Sequence, residues 1–151
     1  MFEALKKMFS GEPKPAHGKL DPHVAAAALL VEAALVDGVY ANLESDQIAE
    51  ILLESFDLDA DRADAVLAEG ESLAENSIGA HQFTQHVKRL PEKERNAVIV
   101  ALYRVSLSDG VACKFEDAFI RHVASLLHVD DVTRALARKR AEAIHSGSAS
   151  D

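Results

Sequence analysis

Two pairs of carboxylates stand at one spacing in this 151-residue chain: Asp37 with Glu44, and Asp109 with Glu116. Each Asp is followed by a glycine, and each Glu comes seven residues after its Asp. Oxygen donors of this kind suit the hard cations Ca²⁺, Mg²⁺ and Mn²⁺ better than zinc. The same step separates the fifth and twelfth positions of a calcium-binding EF-hand loop, with glycine at the sixth. The first and third loop positions would then be Ala33 and Leu35, or Val105 and Leu107. None of these side chains can ligate calcium, so an EF-hand is excluded. If the two turns lie together, Asp37, Glu44, Asp109 and Glu116 form one pocket whose mutual repulsion a divalent cation would relieve. The same residues also have a purely structural use. Gly38 and Gly110 suit helix C-termini. Glu44 and Glu116 suit the first turn of a following helix, where unpaired amides and the positive end of the dipole attract a carboxylate.

The pairs recur because a longer segment recurs. At an offset of 72 residues, Leu30, Leu35, Asp37, Gly38, Val39, Glu44 and Ile48 return as Leu102, Leu107, Asp109, Gly110, Val111, Glu116 and Ile120. A one-residue gap then aligns Phe56, Asp57, Leu58 and Asp59 with Leu127, His128, Val129 and Asp130. Two copies at this period do not make a solenoid. They predict two helical hairpins, 29–56 and 101–127, related by a pseudo-two-fold axis that would bring the four carboxylates together.

The elements that must position them are helices. Alanine is abundant, while glycine and proline number only 7 and 4, a balance that favours helix over sheet. Asp21 followed by Pro22 is a helix start. Residues 24–36 are apolar on nearly every side, which predicts a helix in the middle of the bundle. Further helices are expected from about 41–43 to 55, 60 to 76, 79 to 89, 91 to 108 and 114 to 127. A last helix is capped by Asp130 and fades near His145. The result is an all-α bundle of about seven helices over residues 21–145. Before it, Phe2, Leu5, Met8 and Phe9 predict a short amphipathic helix, joined to the body by a breaker-rich linker ending near residue 20. After it, residues 146–151 form a small, polar tail that is expected to be disordered.

Composition removes several function classes. Net charge is −9 with a pI near 5.2, so a nucleic acid would be repelled. There is no run of about 18 apolar residues for a spanning helix. The single cysteine, Cys113, excludes an internal disulfide framework and places the chain in the reducing cytoplasm. It reads as an inert thiol near its turn. His81 with His86, and His122 with His128, do not share a helix face, so they make no zinc site and read as surface histidines. The basic residues Lys88, Arg89, Lys93, Arg95 and Arg104 read as single counter-charges to the acidic surface, and the basic run 134–140 as a solvated face. No nucleophile or cofactor motif is present, so the chain is not read as an enzyme.

With these residues in hand, the chain resembles the TerB tellurite-resistance family, in its broad TerB-like branch of small bacterial proteins. The carriers are LLVEAALVDGVYANLES (29–45), FTQHVKRLPEKER (83–95) and ALYRVSLSDGVACKFEDAFIRHVASLLHV (101–129). The doubled Asp-Gly-x5-Glu is the specific part. The resemblance implies about seven helices, an acidic cluster proposed to bind divalent cations, and no established enzymatic activity. A similar domain forms the N-terminal part of a membrane-anchored DnaJ-type co-chaperone, which implies an interaction role. Where the family carries an acid or small polar residue before each second helix, this chain has Ala41 and Cys113, so its loops add no further ligands.

Two readings follow. One is a non-enzymatic module holding Ca²⁺, Mg²⁺ or Mn²⁺ at Asp37, Glu44, Asp109 and Glu116, linked to a tellurite or stress response. The other is a ligand-free interaction or scaffold domain that recruits a protein partner. Residues 1–9 give it a route to peripheral membrane contact, and a homodimer stays open.

Overall fold

Asp21 opens the first helix. Its carboxylate accepts the amide of His23 at 2.7 Å and its carbonyl accepts that of Ala25 at 3.0 Å. Asp21 is therefore the N-cap, and Pro22 occupies the first helical position, where no amide is needed. The computed structural model of the chain describes residues 20–36, 45–76, 81–107 and 114–150. These contain seven helices: α1 Pro22–Val36, α2 Ser45–Phe56, α3 Ala60–Glu75, α4 His81–Val87, α5 Glu92–Leu107, α6 Lys114–Leu126 and α7 Asp131–Ser150. No strand occurs among the described residues, and the fold is an all-α bundle. The amphipathic segment and linker at residues 1–19 lie outside the described residues.

α1 is the axle. Ala25, Ala26, Ala27 and Ala28 are all buried, as are Val24, Leu29, Leu30 and Val31 around them. A helix apolar on every side can be satisfied only by neighbours on every side, and α2, α3, α4, α5 and α6 all pack on it. α3 approaches it closely at Gly70. A Cβ there would stand 2.7 Å from the Ala27 Cβ and 2.9 Å from the Ala28 amide nitrogen. Short side chains on α1 and the missing one at Gly70 let the two backbones meet. α5 is the second central helix, with Val98, Ile99, Ala101, Leu102 and Val105 buried. Each such aliphatic side chain removed from water contributes roughly 1.5–3 kcal/mol.

The expected helix ends that fall on described residues hold, with two differences, while those near 41–43, 79 and 108 lie outside the described residues. α4 is shorter than expected, because the chain leaves the helix in a turn before Leu90 and Pro91. α7 runs on to Ser150, past the fade expected near His145. Nothing in the Ser-Gly-Ser-Ala-Ser stretch forces a stop, since no proline interrupts it.

The two segments expected to form hairpins, 29–56 and 101–127, both cross residues outside the described ones. Their second helices, however, end in the same way. Asp57 and His128 take left-handed backbone, at φ 56° and 61°. The next amides, of Leu58 and Val129, reach back to the carbonyls of Leu53 and Ala124 at 3.1 and 2.8 Å. This is the Schellman arrangement. Asp59 and Asp130 then cap the following helices, accepting the amides of Arg62 and Thr133, both at 2.7 Å. Glycine is the usual residue at the left-handed position, and here an Asp and a His occupy it.

Candidate functional site

The four sequence-derived ligands are placed as follows. Asp37, Glu44 and Asp109 lie outside the described residues. Glu116 is the third residue of α6, and its side chain lies outside them too. The described helices bracket the two motifs. α1 ends at Val36, immediately before Asp37, and α2 begins at Ser45, immediately after Glu44. α5 ends at Leu107 and α6 begins at Lys114. Among the described residues, no group of three or more His, Cys, Asp or Glu side chains is arranged to hold a metal ion.

Two surface grooves stand out among those residues. The first, between α2 and α3, has a volume of about 570 Å³. Asp46, Glu50, Asp64 and Glu71 line its walls, and Ala49, Leu53 and Leu67 its floor. The Ser45 hydroxyl donates to Glu71 Oε2 at 3.2 Å. These carboxylates sit along the groove without converging on a point. The second groove, about 650 Å³, lies between α2, α5 and α7. Ala97, Val100, Leu136, Ala137 and Ile144 give it an apolar lining, and Glu54, Glu94, Lys93, Arg104 and Arg140 line it too. Arg104 is held by Glu54 at 2.9 Å. Leu136 is 61% exposed, and Val132, one turn earlier on α7, is 71% exposed.

One end of the second groove is tied to the start of α1. His23 Nε2 donates to Glu94 Oε1 at 2.8 Å, and its ring lies against Phe56 with centroids 4.7 Å apart. Arg62 pairs with Asp21, and Arg89 donates to the Leu20 carbonyl at 2.9 Å. Side chains of α2, α3 and α5 therefore converge on the start of α1. On the other side, α7 is clamped to α5 through Tyr103, which is 2% exposed. Arg134 donates to its hydroxyl at 3.3 Å, and the Arg138 guanidinium stands 5.9 Å from its ring centroid, within cation–π range.

These contacts correct three expectations. The 134–140 run is not simply a solvated face, because Arg134 and Arg138 hold the Tyr103 clamp. The middle basic residues are not single counter-charges throughout. Arg89 serves a backbone carbonyl, Arg95 donates to the Lys88 carbonyl at 3.3 Å, and Lys93 and Arg104 line the groove. Nor are the histidines all superficial: His86 is buried on α4. Burial first, and the neighbouring Arg89 charge second, hold the His86 imidazole below its ordinary pKa. The unfolded chain therefore takes up this proton first as pH falls. The stability that neutral His86 contributes is complete above the ordinary value of about 6.5 and is lost progressively below it. Urea unfolding at pH 7.5 and 5.5 should show a drop in midpoint that is smaller in His86→Gln. An identical drop in both proteins would assign the acid sensitivity to other groups.

Comparison with known proteins gives a family match. The family model for tellurite resistance protein TerB matches residues 23–139, from the first turn of α1 into the middle of α7. The chain belongs to the TerB family. No curated protein and no solved structure matches it. The TerB match takes in both Asp-Gly-x5-Glu motifs and the α2–α5 part of the second groove. That groove had no signal in the sequence, because its walls come from three helices far apart in the chain.

Proposed function

We propose that this TerB-family chain is a non-enzymatic module that binds a divalent cation, Ca²⁺, Mg²⁺ or Mn²⁺, between its two Asp-Gly-x5-Glu turns, in the service of a tellurite or related stress response. Asp37, Glu44, Asp109 and Glu116 are the ligands. The observation that carries this reading is the pair of matched junctions, Asp57 to Asp59 and His128 to Asp130. Left-handed residue, Schellman bond and Asp cap recur at the positions that the repeated sequence aligns. Equivalent junctions support equivalent hairpins, and equivalent hairpins support equivalent turns. The packing of α2 on α5 and of α6 on α1 is the exchange that a pseudo-two-fold would produce.

Four carboxylates in one pocket destabilise the cation-free fold, and a cation bound only by the folded state stabilises it by linkage, about 2.7 kcal/mol at a hundredfold excess over Kd. Millimolar Ca²⁺, Mg²⁺ or Mn²⁺ should raise the Tm. The double change Asp37→Asn with Asp109→Asn should abolish that rise and leave the cation-free protein no less stable. If the glutamates serve only as helix caps, the pattern reverses. No cation then moves the Tm, and Glu44→Ala or Glu116→Ala each costs about 0.5–2 kcal/mol.

The α2–α5–α7 groove, with its exposed Leu136, favours a second reading: a ligand-free interaction domain working in the cytoplasm, with a protein partner or a second copy as its target and residues 1–9 as a peripheral membrane contact. Vesicle co-sedimentation of the full chain, and its mass in solution, test the membrane and dimer parts of that reading.

A further inference from the structure

We propose that the α2–α5–α7 groove is the seat of the chain's own N-terminal segment, residues 2–9. The proposal rests on the groove and not on the cation reading, so the two fail separately. Phe2, Leu5 and Phe9 recur at i, i+3 and i+7, the anchor spacing of a helix laid in an apolar groove. Along α7 the groove runs from Thr133 to Ile144, about 17 Å at the α-helical rise. An eight-residue helix is about 12 Å long by the same rise, so it fits within the groove. The exposed Leu136 supplies an apolar contact that the described residues leave uncovered.

The chain enters the body at the right place. Arg89 fixes the Leu20 carbonyl, and His23 bonds Glu94, which itself lines the groove. Residues 10–19 therefore need only lead from that rim along the groove. Ten extended residues reach roughly 33 Å, about twice the groove's length. Charges of both signs stand on either side of the contact. The segment carries Glu3, Lys6 and Lys7, and the groove lining carries Lys93 and Arg140 with Glu54 and Glu94. A short tether gives an effective concentration in the millimolar range, so a contact too weak to persist between separate molecules still covers the groove within one chain.

Mild oxidation of the full chain carrying Cys113→Ser, Leu5→Cys and Leu136→Cys tests this. An intramolecular disulfide in most of the monomer is expected. Little should form when Asp64→Cys, in the α2–α3 groove, replaces Leu136→Cys. Equal yields at the two positions, no disulfide, or a disulfide between chains would overturn the proposal. A second measurement needs no new cysteine. In ¹H–¹⁵N spectra of the full chain, the triple change Phe2→Ser, Leu5→Ser and Phe9→Ser should shift the amides of Val100, Ala137 and Ile144, independently of protein concentration. Unmoved groove amides would overturn the proposal, and so would shifts that follow concentration, which would make a second copy the occupant.

Discussion

Tyr103→Ala should lose about 3–5 kcal/mol of folding stability, the range for deleting a fully buried aromatic side chain. The ring is enclosed between α5 and α7, with the Arg134 bond on its hydroxyl and Arg138 near its face. Truncation leaves a cavity and also leaves the Arg134 guanidinium, only 16% exposed, without its phenolic partner. Tyr103→Phe separates these contributions. It keeps the ring and the cation–π contact and removes one hydrogen bond, so it should cost only about 1 kcal/mol. Urea midpoints with an unchanged m-value provide the comparison. A loss under about 1 kcal/mol for Tyr103→Ala would mean that α7 is not held to α5 by this clamp.

Gly70→Ala should also destabilise, against the usual direction for a helix. In an exposed helix alanine is better than glycine by about 1 kcal/mol. At Gly70 the new methyl would meet the Ala27 Cβ at 2.7 Å and the Ala28 nitrogen at 2.9 Å. Neither neighbour can swing aside, since one is a methyl on the central helix and the other is backbone. Overpacking of this kind costs typically 1–3 kcal/mol, and a chain of this size loses roughly 2–4 °C in Tm per kcal/mol. Ala27→Gly in the Gly70→Ala background should recover part of the loss, giving a non-zero coupling in the double-mutant cycle. A Tm equal to or above that of the unaltered chain would show that α1 and α3 have room to separate.

Much of this fold was legible because the starts of its helices are chemical. Asp21 before Pro22, Asp59 and Asp130 announce themselves as oxygen acceptors beside amides that need one, and all three cap as expected. The all-round apolar run of α1 placed it at the centre for the same reason. The stops were harder. Asp57 and His128 adopt left-handed backbone without being glycine, and what fixes them is the amide of the next residue finding a carbonyl a turn back, a contact with no residue signature. The burial of His86 and the turning of Arg134 and Arg138 toward Tyr103 depend on which helix lies opposite, and one helix's periodicity does not carry that information. Of the candidate site, the doubled motif was plain in the sequence. The α2–α5–α7 groove was not, because it exists only once helices separated by tens of residues meet.

Calorimetric titration of the full chain with Mn²⁺, Ca²⁺ and Mg²⁺, with Zn²⁺ as the soft comparison, tests the shared site most directly. A joint pocket predicts one oxygen-preferring cation per chain, with binding lost in the protein carrying Asp37→Asn and Asp109→Asn together and strongly weakened by either change alone. The absence of heat with all three hard cations would contradict the proposed function, and so would binding that the double change leaves intact, or a response to Zn²⁺ alone.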